Sequence, residues 1–393
     1  MAFWSRPSIG LDIGSRVVKA AQLKKAGKNI ELEKFGVADI YPSGEKPASP
    51  EEVRQAAIDA IKRALTTAKI TAVQAVTAVA GESIIVRYIQ LPEMPEAELK
   101  NALRWEAEEY IPFRVEDVNI DSAIIGRSTE GEGGRLDVLL ACVRKDLIND
   151  HVSLVKEAGL TPVLVDVDSF AFLNCYDMNY RTDPSEVIGL VNIGGDITSI
   201  SVTMAGMPRF SRDISIGGGN ITNAIRQRLD ISAADAEALK IKCGAPKGRP
   251  GEPGGAEQPE AEGSASLRDT IRSTVEAMTG GTGREEGSDR EAVAERAIRS
   301  TLNNLVSEIR RSIQFFENQS RGLSVGRLVI GGGAASLNGL DNFIQSEMNL
   351  PVEVIDPLLR IPVTGADIDP NVLRDNRHML SVGIGLALRK VVD

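Results

Sequence analysis

Three glycine-rich turns hold the residues best placed to do chemistry. The first is Asp12-Ile13-Gly14-Ser15 and the second is Asn192-Ile193-Gly194-Gly195-Asp196. The third, Gly331-Gly332-Gly333, runs on into Leu337-Asn338-Gly339-Leu340. Each follows an apolar run that reads as buried strand. Glycine lets backbone amides approach an anion without a Cβ in the way, and consecutive N–H groups in a turn form an anion-binding nest. Two such hairpins facing each other would grip a polyphosphate from both sides, and a helix N-terminus would add a favourable dipole. Asp12 and Asn192 both fall two residues before the key glycine. An acidic side chain there suits a hydrated Mg²⁺ beside phosphate oxygens; for Asp12 the plain alternative is a turn-capping aspartate. Lys19, on the next strand, either reaches a phosphate or is an exposed strand lysine. No GxxxxGK[ST] is present, and no GxGxxG opens a helix after the first strand, which excludes the P-loop and Rossmann patterns.

Composition narrows the function classes. The chain has 393 residues, 42% hydrophobic and 25% charged, which suits more than one compact globular unit. There are 37 glycines but 2 histidines, so chemistry through backbone amides and carboxylates is favoured over multi-histidine metal chemistry. A net charge of −10 argues against nucleic acid as a partner. Cys142, Cys175 and Cys243 are far apart and form no CxxC, so reduced cytosolic thiols are expected. No apolar run reaches the roughly 18 residues of a membrane span, which predicts a soluble, cytoplasmic protein. Phe3 and Trp4 beside Arg6 either touch a membrane or partner or form a frayed start.

The elements that would position these turns repeat. Ile9 to Ile13, Val17 to Leu23 and Ile30 to Ala38 read as a three-strand meander. A helix follows, with Ser49 as N-cap, Pro50 at its first position and Glu52 completing a capping box; Ala75 to Ala80 then reads as a buried strand. The order strand, glycine hairpin, strand, turn, strand, helix returns from Val187, so the chain contains an internal duplication. Between the halves lies a segment of different grain, residues 84–165. It has a strand from Ile84, a helix with Leu99, Leu103, Ala107 and Tyr110 on one face, paired strands, a helix over Lys145–Ala158 and a strand over Pro162–Val167. This predicts a small inserted α+β unit. Residues 244–290 are rich in Gly, Pro, Glu and Ser and are expected to be disordered, with a transient helix at Leu267–Met278. A long helix is expected from Arg290 to Asn318, and a small-residue helix from Ser381 to Val391.

Ile9-Gly10-Leu11-Asp12-Ile13-Gly14-Ser15, Asp166-Val167-Asp168-Ser169-Phe170-Ala171 and the two later glycine turns resemble the actin-like ATPase superfamily. Leu91-Pro92 to Phe113, with Leu103-Arg104-Trp105-Glu106-Ala107-Glu108 and Ile111-Pro112-Phe113, is similar to its FtsA-like branch. Within that branch it most resembles the type IV pilus assembly family typified by PilM. The resemblance covers the chain except residues 244–290. It implies an α/β fold: a duplicated actin-like (ribonuclease H-like), two-lobed ATPase with an inserted small subdomain. The first lobe would be 1–83 with a return near 166–185 and a helix over 376–393. The insert would be 84–165, and the second lobe 186–243 with 291–375.

The resemblance also implies ATP and Mg²⁺ in the cleft. Contacts would come from Asp12, Gly14, Ser15, Lys19, Asn192, Gly194, Gly195, Gly331, Gly332 and Gly333. Glu237 and Lys240 would face ribose and adenine; unaided, they read as an i,i+3 helix pair. Asp168 would position the attacking water, and Asp12 would hold Mg²⁺ through water. Relatives carry aspartate where this chain has Asn192, so nucleotide binding is expected with at most weak ATPase activity.

The implied partners are the cytoplasmic N-terminal tail of PilN, other pilus platform and motor proteins, and further copies of the chain in a ring. The groove between first lobe and insert would take the tail, with Arg104 and Pro112-Phe113 as candidates against surface charge and core packing. Membrane association would be indirect, at the cytoplasmic face of the inner membrane, in support of pilus biogenesis and twitching motility. The alternatives are an FtsA-like division protein, disfavoured because no amphipathic tail follows the last helix, and a sugar-kinase-type enzyme. A type II secretion component would need a membrane span beyond Asp393.

Overall fold

The alternation of Ile9, Leu11 and Ile13 builds β1 (Ser8–Ile13), whose side chains are buried on both faces of a sheet. It leads into β2 (Val17–Ala26), β3 (Asn29–Asp39), α1 (Pro50–Thr67) and β4 (Gln74–Val79). The computed structural model describes residues 7–128, 134–247, 285–320 and 322–391. The expected transient helix at 267–278, and Phe3 and Trp4, lie outside them, as does most of the expected disordered segment.

The duplication is explicit in the strand order. β1 runs antiparallel to β2 and parallel to β4, in a sheet ordered β3-β2-β1-β4-β8, with β8 at Thr161–Val167. In the second half, β9 (Val187–Ile193) runs antiparallel to β10 (Thr198–Met204) and parallel to β12 (Arg327–Gly331). The order is β11-β10-β9-β12-β13, with β11 at Met207–Ile214 and β13 at Val352–Val354. Parallel neighbours need a crossover, and α1 and the helices after β11 supply it. Those helices are α5 (Gly218–Leu229), α6 (Ala233–Cys243) and a long helix, Glu285–Gln319, whose Ala297, Leu302, Leu305, Ile309 and Ile313 pack into the second core. This is the two-lobed actin-like architecture.

Pro50 opens α1 as expected, but the capping box does not form. Ser49 makes no side-chain cap; its carbonyl accepts only the first bond of the helix, from Val53 N–H at 3.1 Å.

Two expected boundaries move. The inserted unit consists of β5 (Ile84–Pro92), α2 (Glu96–Tyr110), β6 (Val118–Ser128) and β7 (Arg135–Arg144) in a sheet ordered β5-β7-β6. The following helix, α3 (Lys145–Glu157), and β8 belong to the first lobe: β8 pairs in parallel with β4, and Val155, Ala158 and Leu160 enter the first-lobe core. Likewise residues 362–364, expected in the second lobe, edge β3. Leu32 N–H donates to Pro362 O at 2.8 Å, and Thr364 N–H donates to Leu32 O at 3.0 Å. Unpaired strand edges are liabilities, and this segment covers one.

The halves meet where α4 (Asp168–Asn179) lies against the last helix, Ser381–Val391. A Cβ at Gly385 would sit 1.7 Å from Ala171 O, and one at Gly10 would sit 2.0 Å from Gly383 O. These small residues let helix and strand backbones touch, which fixes the floor beneath the turns.

Candidate functional site

The first hairpin closes between β1 and β2, with Gly14 N–H donating to Val17 O at 3.2 Å. Asp12 and Lys19 are cross-strand partners, so their side chains fall on one face. Lys19 Nζ lies 2.8 Å from Asp12 Oδ2 and donates to Val17 O at 3.3 Å. Both side chains are about nine-tenths buried. Lys19 is therefore neither exposed nor free, and Asp12 is ion-paired.

The second hairpin has the same backbone, with Gly194 N–H donating to Ile197 O at 2.9 Å. Its cross-strand pair is Asn192 with Ser199, so no charge pair exists here. The start of α5 docks on this hairpin: Gly218 N–H donates to Gly194 O at 2.9 Å and Gly219 N–H to Gly195 O at 2.7 Å. Those amides are already spent on the protein, which leaves them unavailable to an anion in this conformation.

The two hairpins face each other closely. A Cβ at Gly195 would lie 2.5 Å from Ser15 Oγ and 2.9 Å from Arg16 Cγ. The third turn meets the second, where a Cβ at Gly332 would lie 2.5 Å from Asn192 Oδ1. Together they border a cleft of about 790 Å³, within the roughly 300–1,000 Å³ of small-molecule and cofactor sites. Its lining includes Asp12, Gly14, Ser15, Lys19, Asp168, Asn192, Gly194, Gly195, Glu237, Lys240, Gly332 and Gly333.

Gly331 is the exception. It ends β12 inside the core, where a Cβ would lie 2.6 Å from the Phe172 ring and 2.7 Å from Ile355. Its glycine answers a packing demand, and it does not line the cleft.

At the second-lobe end, Lys240 is buried and its ammonium is fully engaged. It donates to Glu237 at 2.7 Å, to Thr222 Oγ1 at 3.1 Å and to Gly218 O at 3.4 Å. The i,i+3 pair is therefore real, and Thr222, missed in the sequence, completes it.

Asp168 opens α4, half-buried on the cleft floor. Burial, with the charges of Asp12 and Asp213, pushes its pKa well above the usual carboxylate range, and Lys19 opposes that shift. Asp166 plays a structural part, with Oδ2 2.7 Å from Arg389 Nε on the last helix. Among the described residues, no cluster of three or more His, Cys, Asp or Glu side chains could hold a metal on its own. Asp12 alone suits an ion that keeps several waters and completes its shell with phosphate oxygens, as Mg²⁺ does.

Sequence reasoning also missed Arg16, the loop Tyr41–Gly44 and His151, all on the cleft wall. Arg16 sits within the first glycine break and was legible there. The loop reaches across the mouth: Glu45 lies 3.5 Å from Arg226 and accepts from Ala233 N–H at 3.3 Å. Gly81 N–H to Asp213 Oδ2, at 2.6 Å, and Ser215 Oγ to Glu82, at 2.8 Å, tie the lobes below it.

In the insert, Phe113 packs on the subdomain core beneath Arg144, 5.4 Å from the ring centroid, while Arg104, Trp105 and Pro112 are exposed. Among the described residues, no helix is long and apolar enough to cross a membrane.

A family model described as type IV pilus assembly protein PilM matches residues 10–249 and 284–391. Among solved structures, the chain is similar to the PilM–PilN type IV pilus biogenesis complex, with a TM-score of 0.75 and 26% identity over 98% of this chain and 99% of that one. It also aligns with the ethanolamine utilization protein EutJ from Carboxydothermus hydrogenoformans, at TM-score 0.48 and 13% identity over 97% and 88% of the two chains. A third is MreB5 of Spiroplasma citri bound to ADP, at 0.44 and 15% over 99% and 97%.

Proposed function

The chain belongs to the PilM family of type IV pilus assembly proteins, and on that premise we propose that it is a nucleotide-binding adaptor that docks on the tail of a PilN-type membrane protein. The observation that carries the partner is the similarity to the PilM–PilN complex across nearly the whole of both chains. The observation that supports a nucleotide is the meeting of two glycine hairpins across one cleft.

In this reading the phosphates would lie between the Gly14 and Gly194 turns, where glycine leaves no Cβ in the way; the Gly14 and Gly194 amides themselves are bonded to Val17 and Ile197. Lys19, paired with Asp12, is the residue that would hold the phosphates, and Asp12 the one that would hold a hydrated Mg²⁺. The metal supplies charge neutralisation to the phosphates. Glu237, Lys240 and the Gly332-Gly333 turn are the cleft residues that would hold the adenosine. Asp168 accepts a hydrogen bond from a water on the floor. Without a carboxylate at position 192, hydrolysis is slow and the nucleotide acts mainly by holding the lobes together.

The tail would bring an otherwise cytoplasmic protein to the inner membrane, linking it to the platform and motor of the pilus machine and permitting assembly into a ring. The groove between first lobe and insert is the proposed seat of the tail. Calorimetric titration of a synthetic PilN-type N-terminal peptide, with and without Mg-ATP, tests this reading. Binding in at least one condition is expected, and none in either would sink it.

A further inference from the structure

His151 lines the cleft but has no part in the roles above. It lies on α3, and with Leu147, Ala78 and Val79 it forms the first-lobe wall. Its Nε2 is 2.8 Å from Thr77 Oγ1, which in turn lies 2.9 Å from the carbonyl oxygen of Leu11. A hydroxyl has one proton to give, and a carbonyl oxygen has none. The Thr77 proton is therefore committed to Leu11, and the proton in the His151–Thr77 bond must come from the ring. Thr77 is fully buried, so no water replaces either partner.

With the Thr77 proton given to Leu11, this chain of bonds assigns His151 the Nε2–H tautomer, which leaves a lone pair on Nδ1. Burial also pushes the ring's pKa down to about 4, so it is uncharged at neutral pH. The anchor is well placed: Thr77 is the register partner of Leu11, one residue before Asp12.

A neutral nitrogen acceptor cannot pair with phosphate oxygens, which are acceptors too. It can take a hydrogen bond from water. We propose that His151 is a positioning residue whose Nδ1 holds a water on the first-lobe wall, beside Asp12, and orients it toward the phosphates. The inference rests on the nucleotide reading above. In the step assisted, the water oxygen bonds to the terminal phosphorus as the bridging P–O bond breaks, and both water protons leave with the released phosphate.

The first test is the imidazole spectrum of ¹⁵N-labelled protein at pH 7. With 2 histidines in the chain, His378→Gln assigns the remaining signals. A pyrrole-type Nε2–H and a pyridine-type Nδ1 are expected for His151, giving way to a tautomer mixture in Thr77→Val. An Nδ1–H ring in the wild type overturns the proposal. The second test is single-turnover hydrolysis of Mg-ATP. His151→Phe should slow it about tenfold, a modest positioning effect, with Kd changed less than about threefold; His151→Asn, which keeps an acceptor, should recover part of the rate. Equal rates in wild type and His151→Phe, or no hydrolysis of bound nucleotide in the wild type, overturn it. If the wild type binds no Mg-ATP, the nucleotide reading fails and takes this inference with it. Normal binding with the wrong tautomer sinks the inference alone.

Discussion

The two hairpins share a backbone and differ in charge. Gly14 and Gly194 each donate across their turn, to Val17 and Ile197, at 3.2 and 2.9 Å. At the equivalent cross-strand position, the first carries the Asp12–Lys19 ion pair and the second the neutral pair Asn192–Ser199. The lesson is that duplication preserved what main-chain geometry supplies, a tight glycine hairpin closed by the same N–H to C=O bond, on both sides. The charge stands on one side only. On the proposed reading, binding would use both hairpins, whereas hydrolysis would need charge that the second lacks.

The comparison breaks most readily at the glycines. At position 194 a Cβ would lie 2.7 Å from Ile197 O, and at position 14 it would lie 3.0 Å from Val17 O and 3.1 Å from Lys19 Nζ. Gly194→Arg and Gly14→Arg should each weaken Mg-ATP by roughly 100-fold or more, about 2.7 kcal/mol, with the larger drop in Tm at position 194. Fluorescent-nucleotide titration and thermal melts read both effects.

Lys19→Met removes the partner of a nine-tenths-buried carboxylate. Chemical denaturation should show a loss of about 3 kcal/mol, because the remaining charge is uncompensated. Ser199→Ala, its counterpart, removes a hydroxyl that hydrogen-bonds Asp213 but strands no charge at this hairpin, and should cost about 1.5 kcal/mol. Similar losses at the two positions would contradict the claimed asymmetry.

Asn192→Asp tests the missing charge from the other direction. It should raise single-turnover hydrolysis about tenfold and steepen its Mg²⁺ dependence.

The smallest effect concerns Asp168, whose folded-state pKa is raised by burial, Asp12 and Asp213. The native state therefore holds a proton that the unfolded chain has released. Its contribution to stability is present below the ordinary carboxylate pKa and is lost as pH rises through the raised one. Asp168→Asn should match wild type near pH 3 and exceed it at pH 7 in denaturant melts without nucleotide.

How legible this was depends on range. The hairpins were readable because glycine between alternating apolar runs is a local signal, and the repeated element order exposed the duplication. Gly331 misled because three consecutive glycines look alike; only the end of β12, packed on Phe172, separates the core glycine from Gly332 and Gly333 on the cleft. The insert's far boundary was hidden because β8 pairs with β4 across a whole subdomain, a contact no local pattern carries. The same pairing brings α3, and with it His151, to the cleft wall. The Lys19–Asp12 pair follows from strand register, so each residue could be singled out locally while their bond was not foreseen.

The most direct test is calorimetric titration of Mg-ATP into the wild type, Gly14→Arg and Gly194→Arg, each first shown to be folded. The account predicts saturable one-site binding to the wild type and its loss in both variants. Wild-type affinity in either folded variant would contradict a nucleotide held between the two hairpins.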